Sequence, residues 1–309
     1  MQTDTFKSLE IRNSDELLPY LFKYDNQKDS YLNSPYYFLL TGRKGLKVVI
    51  DDNNSIIFSE HPNLDDETII FPPSNKEEVS FLNSLLGSSS NLFKSKIRII
   101  RCDKIHQDFI AKGISEKYKL NTVEEKLLDW KYPSVIISVE NVVKMKGKSF
   151  KDLRYNVNKV DRNEVLFVEY QSDLHYKDSL KLISKWSNRN VSPLFNEFNL
   201  AAPYIFLLNQ LANAKVLKGY VLYYKKSLVA LNILDNVLNN QEELTSLAFL
   251  ADIDFKGIPS FMRYQVCNFL KNKGVNTIHI GGSETFGLYK FKKKLVPLVQ
   301  LDLNSITNN

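Results

Sequence analysis

The sequence predicts an α/β protein of two domains, and three observations lead there. Its 309 residues exceed the roughly 100–200 that one domain usually takes. Its second half alternates β-type runs with segments of helical period. Near the C-terminus, a β-type run from Asn276 to Ile280 leads into a glycine turn and a lysine-rich helix: Gly281-Gly282-Ser283-Glu284-Thr285-Phe286-Gly287-Leu288-Tyr289-Lys290-Phe291-Lys292-Lys293-Lys294.

The first half mixes short elements. Leu17, Leu18, Leu21 and Phe22 share one face of a helix over Asp15 to Lys23. Tyr36 to Leu40 and Lys47 to Ile50 have the composition of strands, separated by Thr41-Gly42-Arg43-Lys44-Gly45. Asp51-Asp52-Asn53-Asn54 is a turn before a third strand, Ser55 to Ser59. Glu77 to Leu86 suits a helix, and Lys96 to Arg101 alternates as a strand. The segment from Pro133 onward is expected to link the halves, which places the boundary near Tyr132 and gives domains 1–132 and 133–309.

The second half has a clearer order. A basic segment precedes a strand (Val165 to Tyr170), a helix from Tyr176 to Arg189 and another from Ala201 to Ala214. Three strands follow, Val216 to Tyr224, Leu228 to Leu234 and Leu244 to Leu250, joined by polar hairpin turns. The next helix runs from Pro259, whose missing N–H costs nothing in a first turn, to Lys273, with Gly274 as its stop. Strand 276–280, the glycine turn, the lysine helix and a last strand from Leu298 to Leu303 complete a β-α-α-β-β-β-α-β-α-β order.

Composition narrows the classes. Hydrophobic residues at 43% and charged residues at 25% describe an ordinary globular chain, with no run of about 18 apolar residues to span a bilayer. Met1-Gln2-Thr3-Asp4-Thr5 lacks the basic and apolar regions of a secretory signal, so a cytoplasmic location is expected. Cys102 and Cys267 form no C-x-x-C and lie in apolar or basic runs, as buried free thiols do. His61, His106, His175 and His279 are too scattered for a metal triad, and no metal is expected.

The net charge of +6 is concentrated. From Lys144 to Arg162 there are five lysines and two arginines against Asp152 and Asp161, and Lys290, Lys292, Lys293 and Lys294 form a second cluster. Such runs are either solvated helix faces or sites for phosphate groups. At the second cluster a helix start after glycines offers unpaired N–H groups to an anion or a carbonyl. It is neither a dinucleotide nor a nucleotide-hydrolase loop, because Leu288 and Tyr289 follow Gly287 where the latter needs Lys and Ser or Thr. There is no G-x-S-x-G and no Cys–His neighbourhood, so no nucleophile motif is present.

Two blocks carry a family resemblance. Gly281-Gly282-Ser283-Glu284, then Gly287-Leu288 and Phe291-Lys292, with Pro297 just beyond, resembles the C-terminal signature of the phosphatidylglycerol lysyltransferase C-terminal domains and of the Fem-type peptidoglycan aminoacyl transferases. Gly147-Lys148, followed by Arg154 and Asn158, is similar to the start of the second half in the same group. The resemblance implies two tandem GNAT-like domains, each a central mixed β-sheet flanked by helices, the first a degenerate copy. It implies a donor held where the fourth strand of the second domain splays from the fifth, with phosphates on the start of the intervening helix, here Asp252 to Ser260.

The coenzyme A pattern of GNAT enzymes is half met there: Lys256-Gly257 is followed by Ile258-Pro259, and Pro259 removes an N–H that a pyrophosphate would use. That favours an aminoacyl group carried by tRNA over acyl-coenzyme A. Acyl transfer from such an activated ester needs alignment and oxyanion stabilisation more than a covalent intermediate. The resemblance assigns transfer from the aminoacyl end to Lys292. Ser283 and Glu284, at the strand exit, suit an acceptor amine or its proton, Glu284 as a general base. Gly281, Gly282, Tyr289, Phe291, Lys256 and Gly257 are expected on the donor, Lys148, Arg154 and Asn158 on phosphate or an acceptor carboxylate, and His279 is a minor candidate. The expected activity is aminoacyl transfer from tRNA to an amine or hydroxyl of a small-molecule acceptor, with no permanently bound cofactor. Acyl-coenzyme A as donor, and a non-catalytic RNA- or anion-binding protein, are the alternatives.

Overall fold

A computed structural model describes residues 6, 8–24, 28–51, 53–88, 91–123, 132–189, 199–214, 216–237, 240–283 and 285–308. The chain divides into two units, Met1–Pro133 with Gly282–Glu284 and Leu301–Asn309, and Ser134–Gly281 with Thr285–Gln300.

In the first unit the elements are β1 (Ser8–Glu10), α1 (Ser14–Leu21), α2 (Pro35–Thr41), β2 (Lys47–Asp51), β3 (Asn54–Glu60), β4 (Glu67–Ile70), α3 (Lys76–Gly87), β5 (Lys96–Cys102), α4 (Lys104–Gly113) and β6 (Leu120–Val123). They form a seven-stranded sheet in the order β1-β2-β3-β4-β5, then Asn304–Asn308, then β6. β4 and β5 run parallel, joined by α3, while β1 to β4 pair antiparallel in succession. Asn13, Asn75 and Asp103 accept the N–H three residues on and so start α1, α3 and α4.

The expected strand Tyr36 to Leu40 is the helix α2. Ser34 accepts the Tyr37 N–H at 3.1 Å, Pro35 takes the first turn, and every residue from Pro35 to Thr41 is buried. A helix buried all round has no polar face, so no period marks it.

The second unit contains β7 (Ser134–Ser138), α5 (Val139–Lys144), α6 (Lys151–Asn158), β8 (Val165–Glu169), α7 (Ser172–Arg189), α8 (Ala202–Gln210), β9 (Lys218–Tyr224), β10 (Ser227–Val237), β11 (Asn240–Ala251), α9 (Ile258–Lys271), β12 (Thr277–His279), α10 (Phe286–Lys293) and β13 (Val299–Leu301). Its sheet order is β13-β7-β12-β11-β10-β9-β8. β11 and β12 run parallel, joined by α9. Two sequence expectations change here. The segment from Pro133 onward, expected to link the halves, contains the strand β7, which pairs between β12 and β13 with Ser134 to Ile137 buried. The expected last strand is two: β13 beside β7, and β14 (Asn304–Asn308), which pairs with β5 and β6 of the first unit although the sequence groups 133–309 together.

Strand for strand, β1-β2-β3-β4-β5 repeats as β8-β9-β10-β11-β12, with α3 matched by α9. The second core forms where Phe261, Met262, Val266 and Leu270 of α9 meet Leu222, Leu234, Leu244 and Ile278 of the sheet and Leu153 and Val157 of α6. Each such side chain contributes roughly 1.5–3 kcal/mol on burial. Gly274, at φ +79°, ends α9 in the left-handed conformation expected of a helix stop.

One group makes the first unit pH-sensitive. His61 is fully buried, and its Nδ1 accepts from the N–H groups of Asn63 and Leu64 at 3.0 Å each, which requires a neutral ring. Burial pushes its pKa down to about 4. Because the folded value lies below the ordinary one near 6.5, the stabilisation is complete above pH 6.5 and is lost as pH falls toward 4. Between pH 7 and 5 this amounts to about 2 kcal/mol. Denaturation midpoints across that range should fall for the native chain and fall measurably less for His61→Asn; equal slopes would exclude His61 as the source.

Candidate functional site

In the second unit β11 and β12 pair over three positions only, Glu243–Thr277, Leu244–Ile278 and Thr245–His279, although β11 continues to Ala251. β12 then follows β7: the Ile280 N–H bonds the Val135 carbonyl at 2.9 Å, and the Val135 N–H bonds the Gly281 carbonyl at 3.1 Å. The two parallel strands therefore part after Thr245. The start of α9 lies at the carboxyl end of β11, where open α/β sheets take their ligands.

The loop into α9 is fastened from two sides. The Asp252 N–H bonds the Val229 carbonyl at 2.7 Å, and the Asp252 carboxylate pairs with Lys185 and with Arg189, the latter at 3.1 Å. Asp254 pairs with the same two cations. Hydrogen bonds from Arg189 and then Lys185 hold the Asp254 carboxyl below the usual carboxylate range. On the other side Gly257 has φ +94°, and a Cβ there would lie well inside contact distance of the Asn156 carbonyl oxygen at the end of α6. Only glycine satisfies both demands.

The first turn of α9 has little backbone to offer. No side chain caps it, the Ile258 N–H already bonds the Phe255 carbonyl at 3.2 Å, and Pro259 has no N–H. That leaves Ser260. Charge compensates: a cleft of about 270 Å³ lies at this turn, with Lys256 and Gly257 from the loop, Asn156 and Lys159 from α6, and Phe291 and Lys294 from the end of α10 among its walls. Its lining includes three lysines and no acidic side chain.

α10 starts with the Thr285 hydroxyl accepting the Leu288 N–H at 3.2 Å. Inward, the Phe291 ring stacks on Phe249 of β11 at 5.9 Å, and the buried Arg263 guanidinium lies 4.3 Å from the Phe249 ring and donates to Asn232 Oδ1 at 3.2 Å. Lys292 also lies inward, 7% exposed. Tyr289 is half-buried and lies 6.4 Å from Phe286, which is 53% exposed.

The remaining sequence candidates distribute as follows. Gly281 and Gly282 are buried, and Gly281 continues the sheet rather than opening α10. Ser283 forms a backbone bridge with Tyr132, and its buried hydroxyl has no partner among the described residues. Glu284 lies outside the described residues. Arg154 is occupied, its Nη1 donating to the carbonyls of Met145 and of Gly147 (2.8 Å), so it orders the turn before α6. Lys148 and Asn158 are exposed and are not among the cleft's walls. His279 is fully buried, with Nε2 and the Ser134 hydroxyl 2.8 Å apart. Asn156 is not among the sequence candidates, and Lys159 and Lys294 enter there only as members of the two basic runs. Asn156 and Lys159 are three apart on one helix, and that spacing was the available signal. Among the described residues no cluster of His, Cys, Asp or Glu could hold a metal, and no helix is long and apolar enough to cross a membrane. Both cysteines are buried and free, and burial pushes the Cys267 thiol up to about 12.

No family model matches the sequence, and no curated protein matches it significantly. Solved structures do. A conserved protein of unknown function from Bacteroides thetaiotaomicron superposes with a TM-score of 0.72 at 15% identity, over 99% of this chain and 100% of that one. The C-terminal domain of a putative lysylphosphatidylglycerol synthetase from Agrobacterium fabrum gives 0.61 at 14% identity, over 96% and 93%. FemX gives 0.61 at 12% identity, over 97% and 96%. At these identities the likeness is one of fold. A tandem GNAT protein from the clavulanic acid biosynthesis pathway gives 0.56 at 7% identity, over 98% of each chain, and the present chain likewise carries two GNAT-like domains, each a seven-stranded mixed sheet with flanking helices.

Proposed function

We propose that the protein is an acyltransferase that moves an aminoacyl group from charged tRNA to an amine or hydroxyl of a small-molecule acceptor. The observation that carries the proposal is the cleft at α9, where Lys159, Lys256 and Lys294 gather at a helix start that has lost backbone donors to Pro259 and Phe255. A pyrophosphate cradle is built from several convergent N–H groups. A phosphodiester backbone is met instead by side-chain cations, which is what this cleft provides. The likeness of fold to a putative lysylphosphatidylglycerol synthetase domain is consistent with an aminoacyl donor.

In the reaction the acceptor's lone pair attacks the ester carbonyl and its proton leaves. The tetrahedral oxyanion then collapses, breaking the bond to the tRNA ribose oxygen, which takes up a proton. Lys292, next in sequence to the cleft residue Phe291, supplies positive charge for the oxyanion or the departing oxygen. Its burial makes Ala a poor probe, since an Ala would also leave a void. Lys292→Met keeps the volume. Turnover should fall about 100-fold with little change in the denaturation midpoint, whereas an equal loss of both would assign Lys292 to structure.

Donor identity is tested by fluorescence anisotropy of a bulk aminoacylated tRNA pool, with free coenzyme A as competitor and an uncharged pool as control. Tighter binding of the charged pool, unmoved by coenzyme A, is expected. Lys256→Gln with Lys294→Gln should weaken it and make the slope of log K against log salt shallower by about 1–2. Displacement by coenzyme A, or no tRNA binding, would overturn the aminoacyl reading in favour of an acyl-thioester donor.

A further inference from the structure

Flanking the cleft, two helices carry the same surface device. On α10, Lys290 lies over the Phe286 ring at 4.4 Å and Lys293 over Tyr289 at 5.9 Å; on α6, Lys159 lies over Tyr155 at 4.1 Å. All three pairs have the lysine four residues after the ring. Phe286 is 53% exposed and Tyr155 62%. A similar pair, Phe269 and Lys273, differs because Phe269 packs into the core against Tyr220 at 5.2 Å.

Helical spacing places Phe286, Tyr289, Lys290 and Lys293 on one stripe of α10, opposite the buried Lys292 and the inward Phe291. No acidic residue occurs between Phe286 and Lys294. The same two helices end at the cleft, one supplying Asn156 and Lys159 to its walls and the other Phe291 and Lys294. A ring with a cation one turn away matches the repeat of single-stranded nucleic acid, in which every base has a face to stack and every nucleotide a phosphate. A lysine held over an exposed ring is bound weakly enough to exchange the ring for a phosphate. Double-stranded RNA, with its bases already stacked, gains nothing from the rings.

We infer that the outer stripe of α10, together with Tyr155 and Lys159 on α6, is a stacking platform for unpaired nucleotides of an RNA, leading the strand into the cleft. The inference deepens the proposed function, naming the surface that takes the single-stranded end of the tRNA donor. The test uses uncharged RNA, so it does not depend on aminoacyl transfer.

A short unpaired oligoadenylate, a blunt duplex of equal length and phosphatidylglycerol vesicles are titrated against the full chain. Native protein should bind the unpaired strand more tightly than the duplex. Phe286→Ala with Tyr289→Ala should lose about tenfold or more on the unpaired strand and little on the duplex. Lys290→Gln with Lys293→Gln should make the salt slope shallower by about 1.4. Should the double alanine variant fail to fold, Tyr155→Ala on α6 is the substitute, with the same expected loss in kind. Equal binding of unpaired and paired RNA, undiminished by these changes, would overturn the inference, as would binding to the vesicles alone. RNA binding through the stripe without use of charged tRNA as donor would leave the platform standing and end the aminoacyl reading.

Discussion

The short parallel ladder between β11 and β12 is the constraint on which the second unit is built. Parallel strands cannot be joined by a tight turn, so a crossover must pass over the sheet, and α9 is that crossover. The ladder lasts three positions on a strand of twelve residues. Beyond Thr245 the free half of β11 needs other cover, and Phe249 obtains it from Phe291 and Arg263. One brief pairing thus sets where α9 begins, why α10 lies against β11, and why a cleft opens between them.

The start of α9 is held hard and left bare. Asp252 and Asp254 tie the loop to Lys185 and Arg189 of α7, while Gly257 brings the loop against the Asn156 carbonyl of α6. Exposed ion pairs contribute little singly, but Asp252 is buried and shared by two cations, which gives the loop one position. Pro259 and the Ile258–Phe255 bond then remove two of the N–H groups that would greet an anion. Lysines from three separate elements line the cleft there, and an ammonium on a flexible stem is a point charge without the fixed donor geometry of a pyrophosphate cradle.

Much of this architecture is legible in the sequence. The strand–helix order from Val165 onward is visible because period 2 gives way to period 3.6 at polar turns, and Pro259 and Gly274 mark the two ends of α9. Long-range choices are not visible. Nothing within 134–138 says that these residues sit between β12 and β13, and nothing within 304–308 says that they pair with β5 rather than follow β13. α2 was hidden for the opposite reason, being buried on every side. At the site, the family-like block singles out Lys148, Arg154 and Asn158, whereas Asn156 and Lys159 of the same segment line the cleft. Sequence blocks mark the segment that matters; which side chain faces the cleft is decided by helix phase.

The two units share a topology and differ in how the corresponding helix start is satisfied. In the first unit α3 is closed by its own side chains. Asn75 accepts the Glu78 N–H at 2.8 Å, and the Glu78 carboxylate accepts from the Ser74 N–H at 2.7 Å and from the Ser55 N–H at 3.3 Å, with Lys23 at 2.9 Å. Glu78 is buried. A resident carboxylate, already paired with a resident cation, occupies the place an anionic ligand would take and satisfies the donors such a ligand would need. At α9 the capping position is Gly257, no carboxylate among the described residues caps the first turn, and the neighbouring lysines line the cleft. The same topology therefore carries a helix start closed by the chain's own carboxylate in the first unit and one bordered by lysines in the second.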